Sequence, residues 1–570
     1  MHQLLSKIPF LLELFFNGTF IVLFSLKMTD KIPESWSVDL INSAINIGSY
    51  FIPIVLFFSV VINYINTNSI EGYLRKHVFS LMVFIPIVIT WGDAEFCFWL
   101  ALAHLISSVL TLYDIDPNDE EPQDGIVKKF TFRPAQLVLI SFFVIVIVGT
   151  FLLKLPFSIQ DGKTLSWVDA LFMSTSAVCV TGLSTLSVTD NFSLFGQFIL
   201  LLMIQIGGIG IMTLSSSLTI LLGNSMGMKD RIIMQDLLDV SSLEELFNMI
   251  VDIIRYAFII EFWGGIILTL AFTFEGFELG EAIWYGFFHS ISAFCNAGFS
   301  LFNNSIESYA TNPMIHGTIS LLIILGGLGF IVLRELREIF FKGKSYARIT
   351  LHTRIVLWTN FFLIAGGAIM FFFGEFLNAL DGYSLWGKVQ VSFFQSVTLR
   401  TAGFNSIPLT SLHSYTIYAM ALLMFIGASP GSTGGGIKTT TLAILIQSIK
   451  STLKGQKNVW IFKRNIAGPI VVRATALAFI SIIITSIFIL FMMRLEPDQS
   501  FLTVFFEVVS ASGTVGLSLG ITPFLSVFGK LAISVLMFIG RVGPLTLVLA
   551  IGEKKSSGAH EFPDGRVMIG

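Results

Sequence analysis

The sequence predicts an all-α polytopic membrane protein: four pseudo-symmetric helix–pore loop–helix repeats around one pore, plus an N-terminal helical extension. About twelve transmembrane helices and four re-entrant pore helices are expected. Three observations carry this. The 570 residues are 54% hydrophobic and 12% charged, with a mean hydropathy of +0.81, far from the roughly one-quarter charged content of soluble domains. Apolar runs of about 20 residues recur along the chain, longer than the alternating strands of a membrane β-barrel. A short aromatic and glycine-ended motif appears four times. A formal net charge of −3 excludes nucleic acid as a partner, and three cysteines are too few for a disulfide framework.

The elements follow in order. Apolar stretches at Ile8–Leu26, Ala44–Ile65, Val78–Trp91 and Glu95–Leu112 predict a transmembrane extension over 1–115, with Pro86 interrupting the third. The first stretch runs into Lys27 and Asp30 rather than a small-residue cleavage site, so it is expected to remain as a helix. Four helices fit this extension, and two is the alternative that also keeps both of its ends on one side. Residues 116–132 form a cytoplasmic linker, acidic at Asp116, Asp119, Glu120, Glu121 and Asp124 and broken by Pro117 and Pro122.

Four repeats follow, over 133–228, 229–343, 344–463 and 464–570, the last including a cytoplasmic C-terminal tail. Their motifs are FMSTSAVCVTGLS (172–184), FHSISAFCNAGFS (288–300), FFQSVTLRTAGFN (393–405) and FEVVSASGTVGLS (506–518). Aligned on Gly182, Gly298, Gly403 and Gly516, which are 116, 105 and 113 positions apart, each has a Phe ten residues earlier: Phe172, Phe288, Phe393 and Phe506. A long apolar run precedes each motif and another follows. The stretch from Phe to Gly is too short to cross a bilayer core of about 30 Å at 1.5 Å per residue, so it must dip in and turn back.

Basic residues set the orientation. Arg334, Arg337, Lys342, Lys344, Arg348 and Arg354 follow repeat two, and Lys450, Lys454, Lys457, Lys463, Arg464 and Arg473 follow repeat three, so these connections read as cytoplasmic. No Lys or Arg occurs from Tyr256 to Leu333, which places the glycine turns outside.

Non-helical backbone at membrane depth is tolerated only where it is buried in protein or lines a wet cavity. Four matching turns therefore imply a pore rather than four packing kinks. The candidate selectivity filter is Val180, Thr181 and Gly182; Asn296, Ala297 and Gly298; Thr401, Ala402 and Gly403; Thr514, Val515 and Gly516. Glycine leaves the axis open and tolerates positive φ, and backbone carbonyls there can replace the water of a cation. His289 and Glu507, in the re-entrant segments, are expected to bond backbone behind the turns. Cys179 and Cys295 read as small buried residues rather than a metal pair, and Arg400 as a brace for the third turn.

Further on, GASPGSTGGG (427–436) cannot remain helical inside its apolar run, so Gly427, Pro430, Gly431, Gly434, Gly435 and Gly436 form an unwound segment. The clusters Gly207-Gly208 and Gly326-Gly327 read as close helix packing. The 431–439 segment nearly matches a phosphate-binding loop, but Ile437 separates Gly436 from Lys438 and no strand precedes it. Arg541, deep in the last apolar run, is a functional candidate by its position. It is expected beside the 427–436 segment, donating to its carbonyls.

These four turns, with RTAGF at 400–404, FIGRVGPLTL at 538–547 and the tail FPDGRVMIG at 562–570, resemble the potassium-translocating subunits of the KtrB and TrkH superfamily over about Arg133–Gly570, and the tail is closer to KtrB. The N-terminal extension departs from that pattern. The resemblance implies K+ held at the filter residues, and Gly182 stands where sodium-selective plant-type members carry serine. It further implies that the 427–436 segment is the gate, which Arg541 by its position is expected to help hold closed, that Na+ is an activator in some members, and that a homodimer sits in the lipid of a bacterial inner membrane on a KtrA- or TrkA-like nucleotide-binding regulatory ring. No catalytic constellation or cofactor motif is visible in the sequence, so no enzyme activity and no bound cofactor are expected. The rival is a sodium- or proton-coupled symporter, which would need a carboxylate at mid-membrane.

Overall fold

The computed structural model describes residues 16–24, 27, 41–52, 94, 97–98, 101–102, 134–210, 243–343, 345 and 349–543. The chain divides into two compact parts, Met1–Phe132 and Arg133–Gly570. In the first, residues 16–24 and 41–52 are helical, and Phe24 stacks on Phe98 with ring centroids 5.0 Å apart. The linker at 116–132 and the tail beyond 543 lie outside the described residues, as does most of the extension whose helices the sequence predicts.

The second part repeats one plan. Repeat one has α1 (Pro134–Leu153), the short α2 (Trp167–Val178) and α3 (Leu194–Ile209). Repeat two has α4 (Leu243–Phe274), α5 (Leu279–Phe294) and α6 (Pro313–Leu328), which continues as α7 (Phe330–Lys342). Repeat three has α8 (Leu351–Glu375), α9 (Leu385–Thr398), α10 (Ser414–Met424) and α11 (Thr439–Leu453), followed by a hairpin of β1 (Val459–Ile461) and β2 (Arg464–Ile466). Repeat four has α12 (Gly468–Leu495), α13 (Phe501–Gly513) and α14 (Val527–Val542).

The second helix of each repeat is 12 to 16 residues long, still short of a crossing. Three of these helices start on a serine that accepts a backbone N–H of the first turn, Ser166, Ser384 and Ser500, which satisfies an otherwise orphaned donor. Among the described residues three helical spans are long and apolar enough to cross a membrane: Val251–Phe274, Leu351–Glu375 and Gly468–Leu495. The pair α6 and α7 passes together as a span bent by 109°. Phe262, Trp263, Phe361, Phe362, Phe479 and Leu490 stand exposed on the outer helices, a surface that suits lipid and not water.

Packing closes the repeats into a ring. Each first helix lies on the short helix of its own repeat, and each inner helix lies on the short helix of the next: α3 on α5, α6 on α9, α10 on α13 and α14 on α2. The last contact joins repeat four to repeat one. It carries an ion pair, Lys530 Nζ to Asp169 Oδ1 at 2.7 Å, between residues 361 positions apart. Lys530→Met is expected to lower stability in detergent by no more than about 1 kcal/mol, because helix packing and not this pair holds the seam. A thermal melt of the purified variant checks it.

Repeat three is offset by one residue from the spacing of the other three. Phe172, Phe288 and Phe506 are fully buried, but in repeat three the buried ring is Phe394, nine positions before Gly403, while Phe393 is 40% exposed. Hydrogen bonds agree. Thr181, Ala297 and Val515 donate their N–H to Ser176, Ser292 and Ser510, five residues back, whereas Ala402 donates to Thr398, four back. The third turn is one residue shorter, and the Phe393-Phe394 doublet hid the shift.

Candidate filter and gating loop

The four glycine turns meet in a closed ring. A β-carbon added to Gly182 would stand 2.4 Å from Ala297 O, one on Gly298 would stand 2.7 Å from Ala402 O, and one on Gly403 would stand 2.5 Å from Val515 O. One on Gly516 would stand 2.0 Å from Thr181 O, which completes the circuit in the order one, two, three, four. Only residues without side chains allow backbones this close.

The turns share a backbone device that sequence reading missed. Val180, Asn296, Thr401 and Thr514, none of them glycine, have φ of 54°, 58°, 69° and 51°, and the glycines two residues on are also positive. The residues between them are not. Positive φ at the first and third residues of each turn departs from the negative φ that every residue of a regular strand keeps. Non-glycine residues adopt positive φ at a cost of about 1–3 kcal/mol and cluster where the surroundings demand it. The demand here is met from the short helices. Ser176 Oγ accepts the N–H of Gly182 at 3.1 Å and Ser510 Oγ that of Gly516 at 3.0 Å. Ser292 and Thr398 instead donate to Phe299 O and Phe404 O.

Side chains at the ring differ between repeats. Asn296 Nδ2 donates to Arg400 O at 3.2 Å and Thr401 Oγ1 at 3.1 Å, linking turns two and three. Thr181 Oγ1 and Asn296 Oδ1 are buried without a protein partner. Each short helix ends beside its turn, so four partially negative helix C-termini converge there. Above the third turn Asn405 Nδ2 donates to Glu307 Oε1 at 2.7 Å, and burial holds the Glu307 carboxyl above the ordinary carboxylate range despite that bond.

The segment between α10 and α11 lies against these turns. Gly435 N donates to Thr514 Oγ1 at 3.0 Å, Thr433 Oγ1 to Phe294 O at 3.2 Å, and Ser429 N to Gly327 O at 3.1 Å. Gly427, Gly434, Gly435 and Gly436 each have a neighbour within 3 Å of an added β-carbon, whereas Gly431 has open space around it. Pro430 and Gly431 reach the break between α6 and α7, where Phe330 N donates to Gly431 O at 3.0 Å. Lys438 Nζ folds back onto Gly434 O at 2.7 Å.

Two arginines hold this segment. Arg400 donates from Nη1 to Ile426 O and from Nη2 to Gly427 O, both at 2.6 Å, so its partners are the segment's own carbonyls. Arg541, on α14, donates from Nη1 to Thr433 O and from Nη2 to Gly207 O. One guanidinium from repeat four thus ties repeat three to repeat one, which face each other across the ring.

The first two glycine clusters do more than the close packing the sequence implies. Gly207 and Gly326 do pack tightly, on Val178 O and Phe294 O. The helices also end just beyond them, at Gly210 (φ 99°) and Gly329 (φ 92°), as α14 ends at Gly543 (φ 89°). His289 bonds backbone, Tyr285 O through Nδ1 at 2.7 Å, and also Ser300 Oγ through Nε2 at 3.0 Å. Glu507 bonds hydroxyls, not backbone. Cys179 and Cys295 are buried free thiols, and among the described residues no His, Cys, Asp or Glu cluster could hold a metal.

Sequence reading also passed over Glu261 in α4. It is 3% exposed, and Gln205 Nε2 donates to both of its oxygens at 3.0 Å. An acidic residue inside the apolar run 256–274 was the available signal.

Comparison with known proteins gives a consistent result. The TrkH family, described as a cation transport protein, matches residues 123–560. The chain is 37% identical over 454 residues to the Ktr system potassium uptake protein B of Bacillus subtilis, covering 79% of this chain and 99% of that one. It is 36% identical over 444 residues to the potassium/sodium uptake protein NtpJ of Enterococcus hirae, covering 77% and 97%. The crystal structure of the potassium transporter TrkH from Vibrio parahaemolyticus has the same fold, with a TM-score of 0.58 at 18% identity over 88% of this chain and 98% of that one.

Proposed function

This chain belongs to the TrkH family of cation transport proteins, and from that premise we propose that it takes up potassium through the ring at Gly182, Gly298, Gly403 and Gly516. It is a membrane transporter and not an enzyme, as its family is. The closed ring is the observation that carries the reading. Backbone carbonyls brought together in the ring can replace the hydration shell of a cation, and K+ gives up its water more readily than Na+. The relatives named for potassium uptake support that ion, and so does Gly182 in place of serine. The turns face outside and the basic connections face the cytoplasm of a bacterial cell, so the membrane potential supplies about 2.3 kcal/mol per charge per 100 mV.

In this reading the 427–436 segment is the gate and Arg541 its latch. The relatives' designation as parts of a Ktr system supports a cytoplasmic KtrA- or TrkA-like nucleotide-binding subunit acting on a homodimer of this chain, with Na+ as an activator. Sodium- or proton-coupled symport is the second reading, favoured by the buried Glu261. Collapsing a sodium or proton gradient at constant potential separates them, since only coupled symport would slow.

Purified protein in liposomes with an imposed inside-negative potential is expected to take up rubidium in preference to sodium, and Gly182→Ser to narrow the difference. Equal rubidium and sodium uptake by the unmutated protein would overturn the potassium reading.

A further inference from the structure

Resting on the potassium-selective reading, we propose that His289, Gln395 and Glu507 are positioning residues that set ion discrimination by tethering the outgoing strand of their filter turns, with Met173 as the weak counterpart in repeat one. Each directly follows the buried phenylalanine of its short helix, Phe172, Phe288, Phe394 or Phe506. In repeat three the equivalent residue is Gln395 because that turn is one residue shorter.

Each side chain meets the residue two positions after its filter glycine. Ser184 Oγ lies 3.3 Å from Met173 Sδ, and Ser300 Oγ lies 3.0 Å from His289 Nε2. Gln395 Nε2 donates to Asn405 Oδ1 at 3.0 Å and Ser406 Oγ at 3.2 Å. Glu507 accepts from Ser518 Oγ at 2.7 Å and Thr522 Oγ1 at 2.5 Å. A thioether, an imidazole, an amide and a carboxylate thus occupy one position and make one contact. The shared property is where the contact falls, not its chemistry.

The placement matters because each turn is already anchored once. The N–H of its middle residue is bonded back to its helix, at Ser176, Ser292, Thr398 or Ser510. With a second anchor two residues past the glycine, the carbonyls between are held from both sides, which fixes the number and spacing of the oxygens a dehydrated cation meets. The anchors are unequal. A thioether is a weak acceptor, and Ser184 also donates to Leu186 O, so repeat one has the loosest strand. Repeat four, where two hydroxyls converge on one carboxyl, has the tightest.

Rubidium and sodium uptake into liposomes tests this, with the rubidium-to-sodium ratio as the readout. Relative to the unmutated protein, the ratio is expected to fall about fivefold in Gln395→Leu and about tenfold in Glu507→Leu, the scale of the one bond in each pair that reaches the residue two past the glycine, Asn405 or Ser518. Met173→Leu is expected to stay within about twofold, since little bonding is lost. Glu507→Gln, which can still accept from a hydroxyl, is expected to recover most of the ratio. If Glu507→Leu does not fold, Ser518→Ala and Asn405→Ala remove the opposite partners and carry the same expectation. Variants that lower both fluxes in proportion, leaving the ratio unchanged, overturn the inference while the potassium reading stands. Equal uptake by the unmutated protein removes both.

Discussion

Arg541→Ala is expected to raise rubidium uptake by about tenfold in liposomes lacking any cytoplasmic partner, a shift equivalent to about 1.4 kcal/mol. The physical basis is the bridge from α14 to Thr433 O in the 427–436 segment and to Gly207 O at the end of α3. A hydrogen bond from a charged donor contributes about 1.5–3 kcal/mol, so losing two leaves margin over that shift even when the freed carbonyls find water. A second effect acts in the same direction, because a guanidinium between opposite repeats repels a passing cation. Arg541→Lys should fall between alanine and wild type, since one ammonium cannot make the forked pair of contacts that spans repeats one and three. If Arg541→Ala and deletion of 427–436 both leave uptake at the wild-type rate, the gate assignment is lost.

Gly516→Ala is expected to lower rubidium uptake by about a hundredfold, the scale seen when a preorganised site is displaced by about 1 Å. The added β-carbon would meet Thr181 O at 2.0 Å, and Gly182 Cα lies 3.0 Å away. Both are backbone atoms of the neighbouring turn, so relief requires opening the ring. Gly520→Ala is the control. Gly516 and Gly520 have φ of 94° and 93°, but nothing lies within 4 Å of a β-carbon on Gly520. It carries the same backbone strain without the collision. Comparable loss in both variants would assign the defect to strain alone and remove the ring from the explanation.

Much of the site was readable from residue order because it depends on local composition. The four glycines, the unwinding of 427–436 and the depth of Arg541 all follow from which residues a helix or a bilayer tolerates. The third repeat shows where such reading fails. Phe393 and Phe394 are chemically identical, so spacing alone favoured the wrong one, and only burial separates an exposed ring from a buried one. The same slip concealed Gln395 as the counterpart of His289 and Glu507. Their chemistries share nothing that a pattern could register.

Arg400 shows the complementary limit. Its motif position marked it as a brace, but its partners, Ile426 O and Gly427 O, lie more than twenty residues away and are backbone atoms. Carbonyls carry no residue-specific signal. Glu261 was a visible acid in an apolar run, yet its enclosure by Gln205 and Cys295 arises from the contact of repeat one with repeat two.

Residue order alone therefore determined the solvent, the fourfold repeat and the places where helices must break, since each is decided within a few turns of chain. The tertiary structure decided the circuit of glycines, the alternating backbone hand of Val180, Asn296, Thr401 and Thr514, and the span of Arg541 from repeat three to repeat one. The circuit and the Arg541 span depend on backbone atoms brought together from segments about a hundred residues or more apart, and such atoms are the same in every residue.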